Sequence, residues 1–116
     1  MLLVPPDRPI LSSTTTLAEC PNCLVAVRGE RLDAYVTCIA SEATRANITV
    51  GGKTVQVQKS TPGEFLPAYT VTKANHMVNV TCSVGNDDVE PVLTTSKTLY
   101  VAGSMIYTII SKFELE

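Results

Sequence analysis

The sequence predicts an all-β domain, a sandwich or a barrel, on three observations. Runs of β-branched and aromatic residues recur along the chain, with turn residues between them at spacings of roughly 8–12 positions. The 3.6-residue period of an amphipathic helix never holds for three turns. Two cysteines, Cys38 and Cys82, each fall on the apolar side of an alternating segment.

The elements follow in order. Leu24-Val25-Ala26-Val27 is a short strand-like run, and segments 33–40, 47–50, 53–58, 68–72, 77–84 and 98–101 carry the composition of strands. Turn signals divide them: Gly51-Gly52, Pro62-Gly63, Lys73-Ala74-Asn75 and Gly85-Asn86-Asp87-Asp88. Gly51-Gly52 sits between two alternating runs and predicts a two-residue hairpin, because glycine accepts the positive φ such turns require. The chain of 116 residues suits one compact domain, which commonly has ~100–150 residues.

Alternation fixes the expected faces of the two cysteine segments. With Cys82 inward, Val78, Val80 and Val84 point inward and Asn79, Thr81 and Ser83 meet water. With Cys38 inward, Ala34, Val36 and Ala40 join the core while Tyr35 and Thr37 face out. Two inward thiols can meet across facing layers, a closure worth roughly 4 kcal/mol in the chain-entropy account. The other reading leaves them as two buried free thiols that pack as small hydrophobes.

Cys20-Pro21-Asn22-Cys23 has the spacing of a thiol-redox motif or of half a zinc site. A redox pair belongs at the start of a helix, and here a strand-like run follows. Zinc would need Cys38, Cys82 or the lone His76 to complete its ligands, at the expense of the sandwich. Four cysteines allow three pairings, and spacing alone does not choose among them. The preferred reading pairs Cys38 with Cys82 and Cys20 with Cys23. Two N-glycosylation sequons, Asn47-Ile48-Thr49 and Asn79-Val80-Thr81, point with the cysteines to an oxidising, extracellular setting.

Composition and missing motifs narrow the function. A charged fraction of 17%, a net charge of −2 and nine scattered Lys and Arg residues give no footprint for nucleic acid. No apolar run approaches the ~18–20 residues of a membrane span. Residues 1–4 are too short for a signal-peptide core, and Pro5-Pro6 interrupts them. There is no Gly-x-Ser-x-Gly turn, no His-Glu-x-x-His helix and no glycine-rich phosphate loop. His76 reads as a turn or packing residue. Asp87, Asp88 and Glu90 read as a solvated acidic loop rather than a calcium site, which gathers six or more oxygens. The expectation is a protein without catalytic residues, cofactor, metal or small-molecule substrate.

Val36-Thr37-Cys38-Ile39-Ala40 resembles strand B of an immunoglobulin domain. Val78 to Val84, the acidic turn and Leu99-Tyr100-Val101 resemble strands F and G. The opening Val4-Pro5-Pro6-Asp7-Arg8-Pro9 is similar to the start of membrane-proximal domains in nectin-like and nephrin-like receptors. The resemblance covers residues 4–102 and implies an immunoglobulin-like antiparallel β-sandwich of about seven strands in two sheets, of constant-like or intermediate type. Three family marks differ. The core tryptophan position falls on Val50, the tyrosine before the second cysteine is replaced by Val80, and His76-Met77-Val78 stands where Asp-x-Gly-x-Tyr is usual. A buried indole brings ~150–250 Å² of contact, so smaller side chains must fill the gap. The expected core is Val36, Ile48, Val50, Val55, Val57, Phe65, Val80 and Leu99.

What the resemblance implies is a glycosylated spacer or recognition domain of a cell-surface adhesion or immune-type receptor. Its protein partner would be met largely through a preceding variable-type domain, with side-to-side contacts of exposed Tyr35 and Met77, and homophilic contact, as further expectations. A secreted or pathogen-encoded decoy is the alternative within the fold. A thiol-redox or zinc protein built on Cys20 and Cys23 is the alternative from another class. Residues 103–116 form an expected C-terminal extension: an extra strand, a stalk towards a membrane, or a remnant of cloning.

Overall fold

The computed structural model describes residues 8–86 and 89–103 and is all-β. Its strands are β1 (Ile10–Ser13), β2 (Leu24–Val27), β3 (Val36–Ile39), β4 (Arg45–Val50), β5 (Lys53–Thr61), β6 (Glu64–Ala68), β7 (Asn79–Asn86) and β8 (Val89–Ala102). Short 3-10 turns at Leu32–Ala34 and Lys73–Asn75 are the helical elements among the described residues. Asp87 and Asp88 of the acidic turn, the opening residues 4–7, and 104–116 of the expected extension lie outside the described residues.

Hydrogen bonding links the strands in one eight-stranded order, β1-β3-β6-β5-β4-β7-β8-β2. The link between its halves is β5. Lys53 to Val55 pair with β4, whereas Gln56 to Thr61 pair with β6. β2 runs parallel to β8, and every other pairing is antiparallel.

Turn chemistry sets the register. Gly51 and Gly52 have φ of 59° and 84°, and Val50 pairs with Lys53 across them, the expected two-residue hairpin. Pro62-Gly63 makes a second tight turn, with Gly63 at φ 82° and Thr61 paired to Glu64. This turn draws residues 64–68 into pairing with β5, so the strand expected over 68–72 lies earlier. Thr70 and Val71 instead meet the loop before the first 3-10 turn: Val71 N–H donates to Glu30 O at 2.9 Å, and Gly29 N–H donates to Val71 O at 2.8 Å.

The expected strand over 33–40 is also shortened. Residues Leu32–Ala34 form a 3-10 turn and Tyr35 has φ −123° and ψ −31°, outside the extended region. Strict alternation therefore begins only at Val36. Tyr35 is buried and Ala34 exposed, the reverse of the expectation, while Val36, Cys38 and Ala40 do point inward. The Tyr35 hydroxyl donates to Glu30 Oε1 at 2.5 Å. Burial, together with this bond and the nearby Glu30 charge, pushes its pKa up to about 12. A buried Tyr35 is not available for contact with a second molecule; Met77 is exposed as expected.

The core gathers Leu11, Leu24, Leu32, Val36, Ile48, Phe65, Val71, Val80, Val84 and Leu99 around the two inward cysteines. Val50, at the expected tryptophan position, is buried opposite Val80. Of the expected core list, Val57 is only half-buried, packed against the cluster from its edge. Leu11, Leu24, Leu32 and Val71 supply volume that the expected list lacked.

Candidate functional site

Two covalent ties frame the molecule. Cys38 on β3 and Cys82 on β7 are bonded with Cα atoms 6.5 Å apart, and both are fully buried. These strands are not neighbours in the hydrogen-bond order, so the bond crosses the core. Cys20 and Cys23 are bonded to each other with Cα atoms 5.3 Å apart. They close the loop between β1 and β2, where Cys23 N–H donates to Cys20 O at 3.1 Å. The pair runs into a strand, not a helix, so it lacks the helix N-terminus that lowers a redox thiol's pKa. Disulfides of this kind persist in oxidising compartments. No helix among the described residues is long and apolar enough to cross a membrane. Among the same residues no group of His, Cys, Asp and Glu is placed to hold a metal ion.

The sequon asparagines share one outer face. Asn47 pairs with Ser83, and Thr49 with Thr81, across β4 and β7; Asn79 pairs with Thr98 across β7 and β8. Both asparagines are exposed. Side chains at alternate positions point the same way, so Asn47, Thr49, Asn79, Thr81 and Ser83 lie together with Thr94, Ser96 and Thr98. Hydroxyls bridge the strands: Thr81 with Ser96 and Ser83 with Thr94, each at 3.0 Å. Sequence reasoning missed this ladder, although the alternation Thr94, Ser96, Thr98 was a signal for it. The face carries amides and hydroxyls at its centre, suited to hydrated glycans rather than to a dry contact.

The exposed surface of β1 and β3 differs. Ile10 on β1 and Ile39 on β3 are directly paired and both exposed. Met77, exposed at φ 64°, lies apart between the second 3-10 turn and β7. Near it, Asn75 is buried, and its Oδ1 accepts from Thr72 N–H at 2.8 Å, Thr72 Oγ1 at 3.0 Å and the Tyr69 hydroxyl at 3.2 Å. His76 follows as an exposed residue whose Nδ1 accepts from Val101 N–H at 3.1 Å. Its ring meets Tyr100 edge-on with centroids 4.8 Å apart.

No protein-family model matches this chain, and no curated protein matches it closely enough to count as a relative.

Proposed function

We propose that the chain is a non-enzymatic extracellular recognition or spacer domain with an immunoglobulin-like sandwich fold, belonging to a cell-surface adhesion or immune-type receptor. The observation that carries the reading is the buried Cys38–Cys82 bond between two strands that are not hydrogen-bonded neighbours. A cystine through the core of two facing sheets is the hallmark arrangement of immunoglobulin domains. The division of β5 supports it. Taken as two segments, β5 leaves one group of β1, β3, β6 and its own second half, and another of its first half, β4, β7, β8 and β2.

The exposed sequons support a secretory setting, in which glycans on Asn47 and Asn79 would cover one face and leave the Ile10–Ile39 face bare. Function in such a fold lies in its surfaces, and the partner is a protein. The test is to secrete the domain from eukaryotic cells as a multivalent Fc-type fusion and measure its binding to cells and to immobilised copies of itself. Saturable, protease-sensitive cell binding or self-association supports recognition. Failure to leave the secretory pathway in folded form would overturn the reading.

A further inference from the structure

At the end of the fold where β8 finishes, a partly open cavity of about 280 Å³ is lined by Arg28, Lys73, His76, Val101, Ala102 and Gly103. Three of these six are cationic or hydrogen-bond-donating side chains, and among the described residues no carboxylate lines the cavity. This is unlike the rest of a chain whose net charge is −2. Among the described residues neither Arg28 nor Lys73 forms an ion pair.

The three groups come from two segments, the end of β2 and the second 3-10 turn. Arg28 leaves β2 with its N–H donating to Ala102 O at 2.9 Å. Lys73 opens the second 3-10 turn, which Thr72 and Asn75 fix through a reciprocal capping box. His76 closes that turn, and Nδ1 is occupied as acceptor of the Val101 N–H. In the neutral ring that bond places the proton on Nε2, making it a donor. The Tyr100 ring holds the imidazole from its edge.

We propose that this cavity binds a tetrahedral oxyanion, the sulfate or phosphate ester group of a small ligand or a terminal sugar. A guanidinium fork, an ammonium and an imidazole N–H, carried by two segments that line one cavity, offer donors to a group whose oxygens point in three directions. A carboxylate offers two coplanar oxygens, which one arginine already satisfies. The cavity exceeds the ester group itself and leaves room for part of the sugar ring that carries it.

The test titrates the full disulfide-bonded chain at constant ionic strength with glucose 6-sulfate, glucose 6-phosphate and acetate, following the His76 ring and Val101 amide by NMR. Saturable shifts with an ester, and weaker ones with acetate, are expected. Arg28→Gln and Lys73→Gln should each weaken binding by about tenfold or more, while Lys97→Gln on the exposed part of β8 leaves it unchanged. Tighter binding of the sulfate sugar assigns a sulfated glycan; tighter binding of the phosphate sugar assigns a phosphorylated ligand. No saturable shift, equal binding of acetate, or equal weakening by Lys97→Gln would overturn the proposal. Unchanged thermal midpoints of the three variants separate lost binding from lost folding.

Discussion

Thr49 and Thr81 are direct cross-strand partners between β4 and β7, and each is the hydroxyl residue of a glycosylation sequon. Their register places Asn47 beside Ser83 and leaves Asn79 beyond the other end of the pair, roughly 14 Å along β7 at ~3.4 Å per residue. Two glycans at that spacing stand side by side on one face. Secretion from a eukaryotic host should therefore give a doubly modified chain. Asn47→Gln and Asn79→Gln should each remove one glycan, and the double variant both, read as mass shifts on deglycosylation. A chain secreted without modification would contradict the placement.

The two cystines should differ in weight. Cys38–Cys82 spans a sequence separation of 44, and Cys20–Cys23 one of 3. Loop-closure entropy grows with loop length, so replacing Cys38 and Cys82 by alanine should cost about 2–5 kcal/mol. Replacing Cys20 and Cys23 should cost less than the ~3 kcal/mol of a 15-residue loop. Chemical denaturation of the two double variants checks the ranking.

Alternation around Cys82 read correctly because the strand is regular: Val80, Cys82 and Val84 are all buried and Asn79 exposed. It failed at Tyr35 because a 3-10 turn precedes Val36 and resets the alternation, which no composition signal announced. Gly51-Gly52 and Pro62-Gly63 were legible as turns since their backbone conformations exclude most residues. The consequence of the second, moving the next strand to Glu64–Ala68, was not, because β propensity over 68–72 was equally good. β1 escaped notice as a run of only Ile10–Ser13 whose partner, β3, lies far along the chain. Arg28 meets Lys73 and His76 because the end of β2 lies beside the second 3-10 turn, a product of topology that spacing does not encode.

Gly63 should resist substitution. At φ 82° a side chain is strained, and a Cβ would lie 2.9 Å from Ala40 O, in a residue whose N–H donates to Gly63 O at 2.8 Å. Gly63→Ala should cost about 1–3 kcal/mol. Gly52, at φ 84°, has open space around its missing Cβ. Gly52→Ala should therefore cost only the backbone strain, about 1 kcal/mol, and the difference between the two isolates the contact.

Tyr35 predicts a loss of stability in alkali. Its pKa rises from 10.0 to about 12 on folding, so the unfolded chain releases this proton first. The stabilisation is present in full below pH 10 and fades as pH climbs towards about 12. The thermal midpoint of the native chain should fall more steeply across that interval than that of Tyr35→Phe, which has no proton to lose. Parallel curves would show that Tyr35 ionises alike in both states.

The most direct measurement is a non-reducing proteolytic map of the natively folded chain by mass spectrometry. The expected result is one cross-linked species joining the peptides that contain Cys38 and Cys82, Cys20 bonded to Cys23, and no thiol open to alkylation after denaturation. Free thiols at positions 38 and 82, or either of them bonded to Cys20 or Cys23, would contradict it.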